Sequence, residues 1–352
     1  MKFLKTITKQ ASLNIIKKRK GEVRIGERAE FFTEGISLEK NLEKSKTKFV
    51  LLGLPEDIGV RANFGRGGTQ TAWKPALENI LSLQSNLFFD GSEVFVLGEV
   101  NFDDLMEKAE HLSPKQPDEL KKMRDLVSIV DERVVVVIEK ICAAGKIPIV
   151  IGGGHNNAYG NLKGAAKGLK SSSKIKAEKI NCINCDAHTD MRPLEGRHSG
   201  NGFSYAYEEN FLDKYSVLGI HESYNTNAVM QKFENDHKRL FYTTYETIFV
   251  REQQTFQDAM KSNIDFVKKN YCGIELDLDS ITNVPSSAKT SSGISPVQAR
   301  QYVYNCAKNL KCAYFHIAEG APVLAHIKAD NKTGKLIGYL VADFIKGIND
   351  KK

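Results

Sequence analysis

Ile-Asn-Cys-Ile-Asn-Cys-Asp-Ala-His-Thr-Asp-Met-Arg-Pro, residues 180–193, is the stretch around which the chain is organised. Its first half has the apolar, partly β-branched character of a buried strand. Its second half places Asp186, His188 and Asp190 at every second position, so on an extended backbone their side chains share one face. Two carboxylates and a neutral imidazole suit a divalent ion such as manganese, iron, nickel or zinc. The alternative is a solvated strand exit that carries charges by chance.

Apolar runs of strand length recur on both sides of this stretch, and helical patterns separate them. The runs lie at residues 49–54, 93–98, 148–151, 180–185, 215–220, 240–245, 271–279 and 313–319. Alternating strands and helices predict an α/β fold whose mostly parallel sheet of about eight strands is covered on both faces. No linker divides residues 49–352, which we predict to be a single catalytic domain. Residues 1–48 are predicted to be a polar N-terminal extension.

Composition limits the possible partners. The chain has 352 residues, 41% of them hydrophobic, and a formal net charge of +7. No apolar run approaches the roughly 20 residues that span a bilayer, so we expect no membrane partner. Lysines are scattered and not interleaved with aromatic residues, so we expect no nucleic acid, while the positive charge mildly favours anionic substrates. Six cysteines, mostly in apolar runs, fit reduced thiols and a cytoplasmic protein.

Two further strand ends carry side chains of the same chemistry. Residues 148–151 run into Gly-Gly-Gly-His, which ends at His155, and three glycines after a strand let the backbone turn sharply. Three carboxylates alternate along residues 271–279, among them Asp277 and Asp279, and they repel one another unless a cation neutralises them. In an open α/β sheet, ligands bind at the carboxyl ends of the strands.

Six side chains are therefore candidate metal ligands: His155, Asp186, His188, Asp190, Asp277 and Asp279. One ion rarely needs four ionised carboxylates. Two divalent ions about 3.5–4 Å apart would account for the four carboxylates and two imidazoles. Such a pair would also lower the pKa of a water molecule between them and so supply a nucleophile near neutral pH.

Three motifs resemble the metal-binding signatures of the ureohydrolase family, which includes arginase, agmatinase and formimidoylglutamase. They are Gly-Gly-Gly-His at 152–155, Asp-Ala-His-Thr-Asp at 186–190 and Asp-Leu-Asp at 277–279, and their order and spacing match from about residue 50 to residue 345. The resemblance implies an arginase-like, three-layer α/β/α sandwich, two Mn²⁺ ions in each chain and a homo-oligomer. It also implies hydrolysis of a guanidino or formimino C–N bond in a small-molecule substrate.

The resemblance further implies roles for single residues. The ligands of one ion, with Asp186 and Asp277 as bridges to the other, would be His155, Asp186, Asp190 and Asp277. His188 and Asp279 would complete the site of the second ion. Glu319 matches the carboxylate that pairs with the cationic nitrogens of the substrate. We predict that Glu319 and Asp190 are catalytic.

Within the family, the sequence most resembles formimidoylglutamase. Residues 59–66, Gly-Val-Arg-Ala-Asn-Phe-Gly-Arg, are similar to the N-terminal loop of that branch, and Asp190-Met-Arg192 is similar to its Asp-Leu-Arg. Three arginines, Arg61, Arg192 and Arg197, suit a substrate with two carboxylates, which N-formimidoyl-L-glutamate has. We therefore predict hydrolysis of this compound to L-glutamate and formamide, as in histidine degradation. The predicted substrate contacts are Arg61, Asn63, Arg192, Arg197, Ser199 and Asn201.

Three positions depart from the patterns of the known branches. Phe203 stands where the arginase branch has a histidine that shuttles protons, which counts against arginase. Asn156 follows His155 where formimidoylglutamases often have an acid, and Thr-Asn-Val-Pro at 282–285 replaces their Asp-Pro. Either change could alter substrate choice or the support of the ligands. An arginase-like or agmatinase-like hydrolase that releases urea is therefore the alternative, and a binding protein that kept the fold is a weaker one.

Overall fold

The structure, a computed structural model, describes residues 3–16, 19–325 and 331–351. The remaining residues lie outside these ranges: 1–2 and 17–18 of the predicted extension, and 326–330 and 352 of the predicted catalytic domain. A ten-stranded sheet forms the middle layer of the fold. Its strands are β1 (Leu4–Thr6), β2 (Glu30–Phe31), β3 (Phe49–Gly53), β4 (Val94–Val100), β5 (Ile147–Ile151), β6 (Ile180–Cys185), β7 (Leu212–Ile220), β8 (Leu240–Thr244), β9 (Tyr271–Asp277) and β10 (Lys311–Ala318).

Parallel pairing brings the ends of the central strands to one edge of this sheet. The strand order is β1-β4-β3-β5-β10-β9-β6-β7-β8, with β2 beside β4. Of the pairs among the described strands, only β1–β4 is antiparallel. Since β5, β10, β9 and β6 are neighbours at the centre, the segments that follow their carboxyl ends meet there.

Helices cover both faces of the sheet. They are α1 (Lys9–Leu13), α2 (Ile25–Arg28), α3 (Leu38–Lys44), α4 (Ile58–Arg61), α5 (Trp73–Leu81), α6 (Asp103–Glu110), α7 (Pro117–Ala143), α8 (Asn157–Ser171), α9 (Gly202–Glu208), α10 (Asn227–Asn235), α11 (Phe256–Val267), α12 (Pro296–Asn309) and α13 (Lys332–Asn349). Along β3, Phe49 and Leu51 point into one core and Val50 and Leu52 into the other, because successive side chains of a strand alternate. Helices α5, α11, α12 and α13 close the first core, and α7, α8, α9 and α10 contribute to the second.

The predicted α/β sandwich with a mostly parallel sheet is confirmed, but the sheet has ten strands instead of about eight. The two additional strands, β1 and β2, have three and two residues and lie in the predicted N-terminal extension. Strands this short show no alternation that a sequence pattern can detect. Both pair with β4, so part of the extension belongs to the sheet.

The position of α8, the helix that begins beside the site, is fixed by close packing against α7. α7 begins at Pro117, where the missing N–H costs no hydrogen bond. It packs on α8, in which glycines recur at every fourth position. A Cβ at one of them, Gly164, would lie 2.8 Å from the carbonyl oxygen of Val135, so only glycine permits this approach. Because α8 begins two residues after His155, this packing anchors one side of the candidate centre.

Two further observations concern the expected environment. No helix within the described ranges is both long enough and apolar enough to cross a bilayer. All six cysteines are free and buried, as expected of reduced thiols. The cytoplasmic location and the homo-oligomer stay predictions.

Candidate metal centre and active site

Four side chains form what we call the inner group: His155, Asp186, Asp190 and Asp277. Asp277 is the last residue of β9, and the other three follow the ends of β5 and β6. The prediction of an extended backbone over residues 186–190 is wrong, because β6 ends at Cys185 and Asp190 has a φ of 47°. Nδ1 of His155 lies 2.9, 3.1 and 3.2 Å from carboxylate oxygens of Asp190, Asp277 and Asp186, respectively. One ring nitrogen carries at most one proton, so hydrogen bonding alone does not explain three carboxylates around it.

A second set, the outer group, consists of Asp186, His188 and Asp279. Nδ1 of His188 lies 3.4 Å from Oδ1 of Asp186 and 3.5 Å from Oδ2 of Asp279. Asp186 therefore belongs to both groups, with one oxygen toward each histidine. The side chain of His188 is 32% exposed, whereas that of His155 is 1% exposed. The histidine of the inner group is buried, whereas that of the outer group is partly open to solvent.

The geometry of the inner group fits a divalent cation. Neighbouring ligands of an octahedral ion, with metal–ligand distances of about 2.1 Å, lie about 3.0 Å apart. The spacings around Nδ1 of His155 range from 2.9 to 3.2 Å. In the outer group, Oδ1 of Asp279 is buried and has no hydrogen-bond partner among the described residues. Carboxylate oxygens and imidazole nitrogens are ligands that Mn²⁺, Fe²⁺ and Zn²⁺ accept.

The charges of these two groups also call for cations. Burial, together with the Asp186 carboxylate, raises the pKa of Asp190 to about 6. Burial and the neighbouring Asp277 raise the pKa of Asp279 well above its ordinary range. Burial opposes the charge of Asp186 as well, but the two imidazoles beside it hold its pKa below the ordinary value. A bound cation would favour the charged forms of all these acids at once.

Several residues in the loops that carry the candidate ligands have left-handed backbone conformations. Asp190 has a φ of 47° and Glu319 a φ of 63°, both in the left-handed region that residues with a Cβ rarely adopt. Gly152 and Gly153 also have positive φ values, 91° and 72°. A Cβ at Gly153 would clash with the side chain of Asn157, so the turn that delivers the inner-group histidine needs glycine.

A buried glutamate that the sequence did not single out ties this turn to the loop after β3. Oε1 of Glu56 accepts hydrogen bonds from the Gly154 N–H (3.0 Å) and from Nδ2 of Asn157 (2.7 Å). Its Oε2 accepts one from the Ile58 N–H (2.8 Å). Burial raises the pKa of Glu56, while these hydrogen bonds lower it. The loop after β3 therefore supports the centre from behind.

Glu319 lies between the inner group and an open cavity. Its Oε1 accepts a 2.8 Å hydrogen bond from the backbone N–H of His155. Burial and the Asp277 carboxylate raise the pKa of Glu319 well above its ordinary range. The side chain is thus held next to the candidate ligands while part of it lines the cavity.

The cavity has a volume of about 590 Å³, which is within the range of small-molecule sites. Its lining includes four candidate ligands and Glu319. Its walls include Asn63, Phe64, Arg192, Glu195, Ser199 and Tyr224. One guanidinium nitrogen of Arg192 donates to Oδ1 of Asn63 (2.7 Å) and the other to Glu195 (3.1 Å). Nδ2 of Asn63 donates to Oγ of Ser199 (3.2 Å), so three of the six predicted substrate contacts line one wall.

The structure places the other three predicted contacts outside the cavity. The Arg61 guanidinium donates to backbone carbonyls at the end of α6. Arg197 is buried and donates to Asp131 (2.7 Å), Asn201 (2.6 Å) and the carbonyl of Asn156 (2.9 Å). Arg61, Arg197 and Asn201 hold the surrounding loops together and do not line the cavity, so we leave them out of the proposed substrate contacts.

Behind the inner group lies a second cluster whose partners sequence reasoning missed. Glu275 accepts a 2.8 Å hydrogen bond from the Tyr314 hydroxyl and lies 2.6 Å from Nδ1 of His316. Burial opposes the charge of Glu275, but His316 and His155 beside it lower its pKa to about 2. Alternation along the two strands could have indicated this cluster. Tyr314 and His316 lie on one face of β10, and Glu275 and Asp277 lie on one face of β9.

Phe203, which stands in place of the arginase-branch histidine, is buried against the inner group. Its ring meets the His155 ring edge to face at 5.3 Å and stacks on Tyr215 at 4.3 Å. An apolar ring at this position transfers no proton, but it limits the orientations open to His155.

Comparisons with known proteins agree with this geometry. A family model described as the arginase family matches residues 47–346. A formimidoylglutamase of Streptococcus pyogenes is 30% identical over 310 residues, which cover 84% of each chain. Among solved structures, formimidoylglutamase from Bacillus subtilis has a TM-score of 0.71 at 14% identity, with 95% of each chain covered. Formiminoglutamase from Trypanosoma cruzi, solved with Mn²⁺, has a TM-score of 0.70 at 19% identity, with 94% of this chain and 100% of that chain covered.

The predicted family resemblance is confirmed. The family match extends over most of the chain, and the two solved structures share its fold over 94% and 95% of its length. The chain belongs to the arginase family, in which it is a formimidoylglutamase-like hydrolase.

Proposed function

We propose that this protein hydrolyses N-formimidoyl-L-glutamate to L-glutamate and formamide with two divalent ions, physiologically Mn²⁺. The observation that carries the proposal is the convergence of six candidate ligands beneath a cavity that Arg192 lines. The substrate is supported by the name of the Streptococcus pyogenes relative, and the metal by the Mn²⁺ of the Trypanosoma cruzi structure.

The two groups divide the ligands between the ions. The inner group would hold one ion and the outer group the other, with Asp186 as a member of both groups. When bound, such ions polarise the amidine and lower the pKa of water, so that a nucleophile is available near neutral pH.

Arg192 and Asn63 would bind a carboxylate of the substrate. The Arg192 side chain is 47% exposed, and a planar guanidinium recognises a carboxylate through two parallel hydrogen bonds. Among the residues that the structure describes, Arg192 is the only arginine or lysine that lines the cavity. A cationic substrate tail, such as that of agmatine, would be repelled by it, whereas an anionic tail is attracted.

The reacting atoms would then lie between Glu319 and the inner group. Glu319 would accept hydrogen bonds from the amidine nitrogens and so orient the formimino carbon. Asp190, which both contacts His155 and lines the cavity, would take a proton from the attacking water and pass it to the glutamate nitrogen. A C–O bond forms, the bond between that carbon and the glutamate nitrogen breaks, and the products are formamide and the free amine.

A product assay with manganese-loaded protein tests the proposal. N-formimidoyl-L-glutamate, arginine and agmatine are supplied separately, and formamide, glutamate and urea are measured. We expect formamide and glutamate in equal amounts, with kcat/KM higher for N-formimidoyl-L-glutamate by on the order of 100-fold or more. Glu319→Gln is the matched variant, expected to keep its manganese and lose turnover. Urea from a guanidino compound without formamide from the formimino compound would contradict the proposed substrate.

A further inference from the structure

We propose that Glu275 is a positioning residue of the inner group: it holds the His155 ring at Nε2 so that Nδ1 faces the metal, and His316 in turn holds Glu275. This inference rests on the proposed metal-dependent function. It concerns a residue that does not line the cavity and is not one of the six candidate ligands.

The strand register brings Glu275 and His316 together. They are directly opposite one another on the parallel neighbours β9 and β10, and both are fully buried. Nδ1 of His316 lies 2.6 Å from Oε2 of Glu275, and Nε2 lies 3.2 Å from the carbonyl oxygen of Gly152. The two contacts fix the His316 ring between Glu275 and the backbone, so the Glu275 carboxylate is anchored from the side away from His155.

The contact with His155 is on the ring edge opposite the inner group. Nε2 of His155 is buried, lacks a hydrogen bond to any described residue, and lies 3.4 Å from Oε2 of Glu275. A histidine that binds a metal through one nitrogen almost always directs its other N–H to a carboxylate or a carbonyl. Glu275 is the acceptor in place for that N–H. It favours the tautomer in which Nδ1 is unprotonated and free for a cation.

The alternative for this cluster is a third metal ion, because ligand atoms of His155, Glu275 and His316 also lie close together. The distances argue against it. The 2.6 Å contact between His316 and Glu275 is that of a charge-assisted hydrogen bond and is shorter than the roughly 3.0 Å between neighbouring ligands of an ion. The other nitrogen of His316 already faces the Gly152 carbonyl.

Manganese binding by Glu275→Gln tests the proposal without reference to the substrate. Glutamine keeps the size of the side chain and removes its charge. Mn²⁺ affinity is measured by isothermal titration calorimetry on chelator-treated protein, with thermal unfolding as the folding control. We expect the tighter of the two Mn²⁺ sites, which we assign to the inner group because its histidine is buried, to weaken by about 10- to 100-fold in Glu275→Gln. KM for the substrate at saturating Mn²⁺ should stay unchanged.

Tyr314→Phe is the matched control. It removes the hydrogen bond to the other oxygen of Glu275 and leaves the contact with His155 in place. We expect its Mn²⁺ affinity to fall by less than about threefold, since the carboxylate keeps its charge. If Tyr314→Phe weakens Mn²⁺ as much as Glu275→Gln, the cluster acts only as a packing element and the proposal is overturned.

A double variant covers the case in which Glu275→Gln disrupts the buried contact with His316 and unfolds. Glu275→Gln/His316→Gln replaces both partners by neutral amides that can hydrogen-bond to each other, and this pair is expected to fold. It should bind the tighter Mn²⁺ as weakly as the single variant. Wild-type affinity in either variant overturns the proposal, and so does a third ion in the wild-type protein that Glu275→Gln loses. Wild-type protein that binds two ions but releases no formamide would instead refute the proposed substrate and leave the role of Glu275 standing.

Discussion

The inner and outer groups have the same ligand chemistry but different surroundings. His155 of the inner group is enclosed by Phe203 on its face and Glu275 at its edge. His188 of the outer group is open to the cavity and stacks at 5.5 Å on Tyr224, whose ring is itself exposed. The same ligand side chains can therefore form sites of different ion affinity, because the surrounding residues decide how firmly each ligand is held before an ion binds.

The outer group is supported by a series of stacked rings from the segments that follow β7 and β8. Tyr224 stacks on His221 at 5.0 Å, and His221 stacks on Tyr245 at 4.5 Å. Beneath these rings, Oδ1 of Asn225 accepts a 2.9 Å hydrogen bond from the Thr189 N–H, next to His188. Such contacts restrain His188 less than burial restrains His155. We therefore expect the inner ion to bind more tightly than the outer one, since fixed ligands lose less entropy on binding.

The largest effect is expected where the two groups overlap. Asp186→Asn removes a charge that faces both histidines, so both ions should be lost and turnover should fall by on the order of 10³-fold or more. Manganese per chain, measured by elemental analysis after desalting, and formamide release check this. Circular dichroism serves as the folding control. A variant that keeps two ions and normal turnover would show that Asp186 is not shared.

Separate histidine variants should distinguish the two groups. His188→Asn is expected to keep about one ion per chain, at nearly the wild-type affinity of the tighter site, because the inner ligands are untouched. His155→Asn is expected to lose that tighter site, with an affinity loss on the order of 100-fold. Calorimetric Mn²⁺ titrations of both variants provide the measurement. Equal losses in the two variants would mean that the difference in burial has no consequence for binding.

A smaller effect is expected at the cavity wall beside the outer group. Arg192→Met should raise KM for N-formimidoyl-L-glutamate about 10- to 100-fold, the cost of a charge-assisted hydrogen bond to a carboxylate, and change manganese content little. Arg66→Met is the control, since Arg66 is exposed, donates to the carbonyl of Ser287 and does not line the cavity. Steady-state kinetics check both. An unchanged KM in Arg192→Met would remove Arg192 from the substrate contacts.

The smallest effect concerns the pH dependence of the free energy of unfolding. It arises from His198, which lies beside Arg192 and Glu195 of the same wall. Burial, with Arg192 and other arginines nearby, lowers the pKa of His198 to about 3. Its Nδ1 accepts the Gly200 N–H, and its Nε2 faces Glu195. The unfolded chain binds a proton near pH 6.5 and the folded chain does not, so stability is complete above pH 6.5 and is lost as the pH falls toward 3. By pH 5 this loss is about 2 kcal/mol.

Urea unfolding of the wild type and of His198→Asn at pH 8 and pH 5 measures this loss. Asparagine keeps an acceptor for the Gly200 N–H and does not titrate. The stability difference between pH 8 and pH 5 should therefore be about 2 kcal/mol smaller in the variant. Identical pH dependence in both proteins would mean that His198 is not held neutral.

The candidate site illustrates which features can be read from a sequence. Asp186, His188 and Asp190 were identifiable because carboxylates and an imidazole follow closely on a strand-like run, which is a local feature of the sequence, although the structure places them in the loop after β6 and not on an extended strand. For Arg197, a pattern shows that an arginine is present but not that Asp131 already binds it. The role of Glu56 was hidden for a related reason, since its partners Gly154 and Asn157 lie about 100 residues away.

The order of residues alone was enough for the α/β class, the positions of the strand ends and the identity of six candidate ligands, since these follow from spacing and side-chain chemistry within short segments. Folding in three dimensions was needed for the rest. It set which ligands share one ion-sized space, which arginine remains available to a substrate, and that Glu275 meets His316 behind His155. These depend on strand order and on burial, which arise only when β5, β10, β9 and β6 become neighbours and water is excluded between them.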